Sequence, residues 1–298
     1  MYLEHFGLEQ APYTITPDTG FFLEQGSHRQ AMNVLLFALE SGEGFIKVTG
    51  EVGTGKTLLC RKLLNTLDDR YITAYIPNPF LNPVALRMAL AEELDIEFAR
   101  NTGQHRLLQL ITTRLAEYNV AGKQVVLLLD EAQSIPDESM EALRLLTNLE
   151  TEKDKLLKVV LFGQPELDAR LKQNNMRQLR QRILFNYNLD PLDRKTLNVY
   201  INHRLLVAGY RGAPLFSQRA VKLLHRNSRG IPRLANILCH KALMSAYGRG
   251  DRVIRPVHIR NASLDTEDVQ PQRHRLAIAT GLFGLLTLTS AGLLAAWH

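Results

Sequence analysis

The octapeptide Gly50-Glu51-Val52-Gly53-Thr54-Gly55-Lys56-Thr57 decides the fold of this chain. It matches the phosphate-binding loop pattern G-x-x-x-x-G-K-[ST] in full. A β-rich run, 45–49, precedes it, and an apolar helical stretch, 58–64, follows it. A strand, a glycine-rich turn and a helix in this order predict a loop whose backbone N–H groups bind phosphate oxygens.

The residues of this loop are expected to play separate parts. Lys56 is predicted to reach the β- and γ-phosphates of ATP, and the Thr57 hydroxyl to bind Mg²⁺. A chance glycine-rich turn is the alternative, and eight matching residues in this context disfavour it. The other predicted nucleotide-binding positions are Gly50, Glu51, Val52, Gly53, Thr54, Gly55 and Leu58.

Strands and helices alternate after the loop. Residues 71–76, 124–129, 158–162 and 183–189 have strand composition. The run 124–129 is apolar on successive residues, as expected of a parallel strand that is buried on both faces. The chain is therefore predicted to form an α/β fold, a parallel sheet with helices on both faces.

Composition shifts divide the chain into four predicted parts. Residues 1–190 form the α/β nucleotide-binding domain. No strand is evident beyond Pro191, and 191–262 is predicted to be a small all-helical domain. A polar linker, 263–275, leads to the final apolar segment, 276–297.

That final segment of 22 residues contains no Asp, Glu, Lys or Arg. About 20 apolar residues suffice to cross a bilayer, so a transmembrane helix is predicted. Arg273 and Arg275 precede the segment and no basic residue follows it, which predicts that the bulk of the chain is cytoplasmic. A buried or amphipathic terminal helix is the alternative.

The overall composition sets wider limits. The chain has 298 residues, 45% of them apolar, and a formal charge of +6. Such a charge suits nucleic acid, an anionic membrane surface or an ordinary basic enzyme. Cys60 and Cys239 are far apart and have no metal-binding spacing, so they are predicted to be buried thiols in a reducing compartment.

Polar residues follow two of the buried strands. Asp130 and Glu131 come directly after 124–129, at the strand end where parallel sheets bind ligands. Asp130 is predicted to hold Mg²⁺ and Glu131 to polarise the attacking water. Gln164 follows the next strand and is predicted to position that water or contact the γ-phosphate; a turn residue before Pro165 is the alternative.

Three arginines and the first 25 residues leave alternatives open. Arg177, Arg180 and Arg182 are either a solvated helix face or the source of an arginine for a neighbouring subunit's γ-phosphate. Arg233, in the run Gly230-Ile231-Pro232-Arg233, is predicted to touch the phosphates. The aromatic residues of 1–25 either wrap the nucleotide base or cap the core.

Together these residues resemble those of the AAA+ ATPases. The resemblance covers about 1–262 and implies a helical lid domain, an ATPase activity and a ring of subunits. It makes Gln164 the sensor 1 residue, where Asn is more common, and Arg233 the sensor 2 residue. It makes Arg180 or Arg182 the arginine finger.

Further motifs resemble the ExeA/GspA type of AAA+ protein, which are inner-membrane ATPases of bacterial type II secretion. These motifs include Phe6-Gly7-Leu8, Asp130-Glu131-Ala132-Gln133 and Gly163-Gln164-Pro165-Glu166-Leu167. The length of the chain, without an extracytoplasmic domain, is closer to the MshM type that serves type IV (MSHA-like) pilus biogenesis. The resemblance implies inner-membrane assembly proteins as partners; a DNA-binding ATPase of the transposition-accessory type is the alternative, which the apolar segment 276–297 disfavours.

Overall fold

The computed structural model describes residues 2–99, 101–151 and 155–269. The predicted transmembrane segment, 276–297, lies outside these ranges, and so does part of the predicted linker, 263–275. Within the described ranges, no helix is both long and apolar enough to cross a membrane.

The centre of the fold is a five-stranded sheet in which every neighbouring pair is parallel. The order across the sheet is β2-β3-β4-β1-β5, so β1, which precedes the phosphate loop, lies between β4 and β5. The predicted parallel sheet is confirmed, and every predicted strand is present. The strands are β1 Phe45–Thr49, β2 Tyr71–Ile76, β3 Gln124–Leu129, β4 Leu157–Gly163 and β5 Ile183–Asn188.

Eight α-helices occur among the described residues before Pro191. They are α1 Tyr2–Phe6, α2 Gly26–Glu40, α3 Lys56–Thr66, α4 Pro83–Glu93, α5 Gln104–Val120, α6 Asp137–Leu146, α7 Pro165–Leu171 and α8 Arg177–Arg180. Alternate residues of the strands enter two separate hydrophobic cores. Val125 and Leu127 lie in a core with helices α4 to α8, whereas Val126 and Leu128 lie in a core with α2 and α3. Helices therefore cover both faces of the sheet, as predicted.

A helical lid follows the sheet, with its own hydrophobic core. Its helices are α9 Arg194–Val207, α10 Gln218–Ser228, α11 Pro232–Tyr247 and α12 Pro256–Leu264. Side chains from the N-terminal segment pack into this core, namely Phe6, Leu8, Tyr13 and Phe21. The predicted domain 1–190 groups this N-terminal segment with the sheet. In the structure, its side chains contribute to the core of the lid instead.

Two helices differ from their predicted extents. The sequence predicts one helix over Asp137–Leu149, but α6 ends at Leu146. Thr147 follows it and donates its hydroxyl to the Arg144 carbonyl at 2.9 Å, which caps the end. Helix α12 was not predicted from the sequence. It is short, and just before it the backbone N–H of Arg255 donates to His258 Nδ1 at 3.1 Å. His258 is buried at a position where an apolar pattern would expect a hydrophobic residue.

Candidate nucleotide-binding site

The phosphate loop connects β1 to α3 and takes backbone conformations that favour glycine. Gly53 and Gly55 have φ values of +81° and +101°. Gly55 is the N-cap of α3 and has no side chain to cap the first N–H groups of the helix. Those groups and the positive end of the helix dipole are therefore free to bind a phosphate.

Lys56 lies over the loop rather than in solvent. It is only 5% exposed, and its ammonium group donates to the carbonyl oxygens of Gly50 at 2.7 Å and Glu51 at 3.0 Å. Burial lowers the pKa of Lys56, while the nearby carboxylates of Glu131 and Asp130 act to raise it. A charged group held in this way is ready to exchange backbone partners for phosphate oxygens.

The two predicted Mg²⁺ ligands lie near each other. The Thr57 side chain, at the start of α3, is close enough to the carboxylate of Asp130, which follows β3, to act towards a lower pKa of that group. Asp130 is 3% exposed, and its burial raises the pKa of the carboxyl group. A buried carboxylate beside a hydroxyl is the kind of oxygen ligand set that Mg²⁺ accepts, because it takes few protein ligands and keeps several waters.

Glu131 is held by two amide side chains. Its Oε2 accepts a hydrogen bond from Gln164 Nε2 at 3.0 Å and another from Gln133 Nε2. The backbone of Glu131 has φ +52°, a left-handed conformation that is unusual outside glycine. Gln164 lies beside the acidic pair, as the sequence predicts, and it also begins α7 as its N-cap.

Gln133 is a site residue that the sequence reasoning missed. Its Oε1 accepts the backbone N–H of Gln164 at 2.9 Å while its Nε2 contacts Glu131. It therefore links the ends of β3 and β4. The available signal was its place two residues after Glu131, but a glutamine in that place has no distinctive spacing.

A cavity of about 450 Å³ joins these groups to the lid and the N-terminal segment. The phosphate loop, Glu131 and Gln164 line one end. Residues 14–18 and the lid side chains Tyr200, Arg204 and Asn236 line the rest. The core-capping interpretation of the first 25 residues is confirmed, because aromatic side chains of this segment fill the core of the lid. Contact of the segment with a nucleotide base stays a prediction.

Arg204 fastens the N-terminal segment to the lid, a role that sequence reasoning missed. It is 4% exposed, donates from Nε to the Pro12 carbonyl at 2.5 Å, and lies 4.5 Å from the centre of the Phe21 ring. Asn236 donates to the Thr14 carbonyl at 3.1 Å and accepts from the Tyr200 hydroxyl at 2.9 Å. This network sets the path of 14–18 along the cavity.

Two contacts connect the phosphate loop to other elements. The backbone N–H of Arg233, near the start of α11, donates to the Gly53 carbonyl at 3.2 Å, and Arg233 lines the cavity. A Cβ at Gly53 would lie 2.7 Å from the Cβ of Arg233, so only glycine permits this close approach. On the other side, His28 Nε2 of α2 is 2.9 Å from the Thr54 carbonyl, and burial lowers its pKa.

Arg180 and Arg182 do not line this cavity within the chain. Arg180 is exposed and borders a separate cavity of about 210 Å³ beside Lys47 and Asp168. Arg182 lies near Glu141 and Glu150. The structure thus separates both arginines from the site of their own chain.

One family model matches the part of the chain that carries this geometry. Residues 39–171 match the model described as AAA domain. That range contains the phosphate loop, the acidic pair and Gln164, so this stretch is similar to an AAA domain.

A curated relative refines this class. The chain is 43% identical over 254 residues to General secretion pathway protein A of Aeromonas hydrophila. The match covers 85% of this chain and 46% of the relative, so the chain spans about half the length of the curated relative that it matches. The chain is homologous to that protein, in agreement with the predicted ExeA/GspA resemblance, while a closer relation to the MshM type stays a prediction.

Solved structures share the fold at low identity. Cdc6p from Pyrobaculum aerophilum matches with a TM-score of 0.63 and 20% identity, covering 84% of this chain and 71% of that one. The Aeropyrum pernix ORC2 protein matches with 0.62 and 17%, covering 85% and 70%. The RuvB Holliday junction branch migration motor of Thermotoga maritima matches with 0.58 and 16%, covering 91% and 79%. These similarities support the AAA+ P-loop fold.

Proposed function

We propose that this protein is a Mg²⁺-dependent ATPase. The observation that carries the proposal is the convergence of three groups on one cavity: the phosphate loop with Thr57, the carboxylate of Glu131 and the amide of Gln164. They follow the neighbouring strands β1, β3 and β4, and each has a chemical role in the hydrolysis of ATP.

The side chains divide the work as follows. The loop N–H groups and Lys56 bind the phosphates, and Arg233 reaches the same cavity from the lid. Thr57 and Asp130 would hold Mg²⁺, which would supply positive charge to the phosphate oxygens. Glu131 takes the proton of the attacking water, and the amides of Gln133 and Gln164 fix the position of its carboxylate.

The proposed setting is the bacterial inner membrane. Residues 276–297 would anchor the chain there as a single helix, with the ATPase domain in the cytoplasm. The homology to General secretion pathway protein A supports a role in assembling a type II secretion machine or a type IV (MSHA-like) pilus. The partners would be inner-membrane proteins of that machine.

Glu131→Gln tests the catalytic assignment. The variant keeps the shape and the hydrogen bonds of the side chain but cannot accept a proton, so we expect kcat for ATP hydrolysis to fall by about 10²–10⁴-fold. ATP binding should persist, whereas Lys56→Ala should weaken it. The measurements are phosphate release and binding of a fluorescent ATP analogue, with and without Mg²⁺.

Glu138→Gln is the matched control, since Glu138 is an exposed glutamate on α6 outside the cavity. It should hydrolyse ATP at the wild-type rate. A Glu131→Gln protein with wild-type turnover would refute the role of Glu131. Wild-type turnover in excess EDTA would refute the Mg²⁺ dependence.

We further propose that the subunits form a ring in which Arg180 or Arg182 completes the site of a neighbour. Both arginines lie just before β5, away from the site of their own chain, which suits a residue supplied to another subunit. A head-to-tail interface of this kind closes into a ring when the rotation allows. An arginine supplied in trans is worth about 10³–10⁵ in rate in well-studied GTPases.

The ring proposal predicts that Arg180→Ala or Arg182→Ala leaves ATP binding intact and strongly lowers hydrolysis. Mixing such a variant with Lys56→Ala protein should restore part of the activity, because some mixed interfaces combine an intact loop with an intact arginine. Arg177→Ala, an exposed arginine on the same helix, is the control. The ring predicts that ATPase activity per subunit falls when the protein is diluted to concentrations at which sedimentation shows only monomer. Activity that stays unchanged at those concentrations would contradict the ring.

A DNA-binding ATPase is the second candidate. The observation that favours it is the concentration of positive charge in the lid, where residues 191–269 contain 14 Lys and Arg but 5 Asp and Glu. A comparison of binding to duplex DNA and to anionic lipid vesicles distinguishes the two candidates.

A further inference from the structure

Charge is distributed unevenly between the two parts of the chain. Residues 1–190 contain 20 Lys and Arg and 25 Asp and Glu, a net charge of −5. Residues 191–269 contain 14 and 5, a net charge of +9. The basic character of the protein therefore resides in the lid, which carries none of the predicted catalytic carboxylates.

Helix α10 concentrates this charge on one side. Arg219, Lys222 and Arg226 are spaced by three and four residues, and all three are exposed. The opposite side of the helix buries Val221 and Leu224 in the core of the lid. No acidic residue occurs in α10, and Arg229, which ends it, is also exposed.

Helix α12 runs beside α10 in the same direction. A parallel bridge pairs Phe216 with Ile254 just before the two helices, and Asn227 donates to the Ser263 hydroxyl at 2.7 Å near their ends. Arg260 is exposed one turn before Ser263 on the side of α12 that faces α10. We call Arg219, Lys222, Arg226, Arg229 and Arg260 the α10 basic face.

Three of the five carboxylates of the lid are engaged away from this face. Asp193 caps α9, Asp251 pairs with Arg249 and His258, and Asp265 pairs with Lys241. The other two, Glu267 and Asp268, lie in the turn after α12. In the described part of the chain, no ion pair involves a member of the α10 basic face. Five like charges on one exposed surface repel one another, and a polyanion would relieve that repulsion.

We propose that the α10 basic face docks onto the anionic headgroups of the membrane. This inference rests on the proposed anchoring by residues 276–297. Leu276 is seven residues beyond Val269, the last described residue, and seven extended residues reach about 25 Å. The turn Glu267–Val269, the last described element, packs against α12, which carries Arg260.

The same geometry favours lipid over nucleic acid as the partner. A tether of this length would hold the lid, not the acidic α/β part, close to the bilayer surface. The α10 basic face has no aromatic residue on which a base could stack, whereas Val253, 41% exposed between Arg252 and Arg255, suits insertion among headgroups. Duplex DNA would interact with the positive charges of this face but not with Val253.

Docking of the lid on the membrane would affect the nucleotide site through the contact between α10 and α11. Helix α10 packs against α11, and the start of α11 places Arg233 on the phosphate loop. A lid held by the membrane would keep α11 in a defined position relative to Gly53. The surface would thereby couple membrane attachment to closure of the nucleotide cavity.

The test uses the full chain reconstituted into vesicles. A fluorophore on Gln218→Cys, an exposed position beside Arg219, reports energy transfer to labelled lipid headgroups; Cys60 and Cys239 are buried and should not react. We expect more transfer in vesicles that contain phosphatidylglycerol than in phosphatidylcholine alone. The difference should disappear in high salt, which screens exposed charges.

Charge variants locate the effect. The triple variant combines Arg219→Glu, Lys222→Glu and Arg226→Glu. It should abolish the difference in energy transfer between the two kinds of vesicle. It should also weaken the association of the face with lipid by on the order of 100-fold, because each basic residue near an anionic surface contributes about 1 kcal/mol. The matched control makes the same charge change on exposed residues of the α/β part, by combining Arg29→Glu, Arg106→Glu and Lys123→Glu. This control should keep the difference in energy transfer between the two kinds of vesicle. If the glutamate triple variant does not fold, the corresponding triple glutamine variant removes the charge more mildly.

The outcomes separate the docking from the anchoring. A chain that resists carbonate extraction but shows equal transfer in both lipids overturns the docking and leaves the anchoring intact. If carbonate extracts the chain, the proposed anchoring is wrong, and co-flotation with the same vesicles then tests the α10 basic face alone. Binding that needs phosphatidylglycerol and the three α10 residues supports docking by this face. Absence of such binding overturns the docking. Tighter binding to duplex DNA than to anionic vesicles, lost in the glutamate variant, overturns docking to lipid in favour of nucleic acid.

Discussion

The α/β part and the lid meet at the same cavity but contribute different things to it. The α/β part carries a net charge of −5 and supplies the phosphate loop, Glu131 and Gln164. The lid carries +9 and supplies Tyr200, Arg204, Arg233 and Asn236. The difference shows that the predicted catalytic carboxylates belong to the sheet edge, whereas the lid encloses the cavity and carries the net positive charge.

A contact that only glycine permits lies where the chain passes from β5 into the lid. Gly230, which precedes α11, has φ +74°, and its carbonyl accepts the backbone N–H of Leu192 at 2.8 Å. A Cβ at Gly230 would overlap the Leu192 carbonyl oxygen. Together with the contact of Arg233 on Gly53, this pairing sets the position of the lid over the phosphate loop.

Gly230→Ala is expected to have the largest effect on this joint. The left-handed backbone costs a non-glycine residue about 1–2 kcal/mol, and the clash with Leu192 adds to it, so we expect a loss of about 3–5 kcal/mol in the free energy of unfolding. The measurement is denaturant unfolding followed by circular dichroism.

Gly250→Ala is the matched control. Gly250 lies in the same region with φ +70°, but a Cβ there would meet nothing within 4 Å. It should cost only the backbone term of about 1–2 kcal/mol. Equal losses in the two variants would mean that the approach of Leu192 to Gly230 contributes nothing to the joint.

A smaller effect is expected from pH, through His28. Burial lowers the pKa of His28 below its ordinary value of 6.5, so the unfolded chain takes up a proton first as the pH falls. The contribution of His28 to stability is therefore complete above pH 6.5 and decreases as the pH falls from 6.5 through the folded pKa. The slope can reach about 1.4 kcal/mol per pH unit for one group.

His28→Gln isolates that contribution, because glutamine can still donate to the Thr54 carbonyl but does not titrate. We expect its free energy of unfolding to depend less on pH below 6.5 than that of the wild type. His105→Gln, an exposed histidine on α5, should keep the wild-type pH dependence. Identical profiles for His28→Gln and the wild type would show that His28 does not charge in this range.

The sequence by itself determined the sheet and the order of the motifs. Gly50–Thr57 required a strand before it and a helix after it, and the apolar run 124–129 had to be a strand buried on both faces; the structure contains both. These predictions succeed because backbone period, glycine conformation and burial are local properties of a few consecutive residues.

Only the tertiary structure decided which residues complete the site. His28, Gln133 and Arg204 act through partners up to 192 residues away, as in the bond from Arg204 to Pro12, and no local pattern marks them. The grouping of the N-terminal segment with the lid, and of α10 with α12 in one basic face, likewise arises from packing between distant segments. Side-chain burial and hydrogen bonding depend on which elements meet in space, and one sequence, read locally, does not specify that.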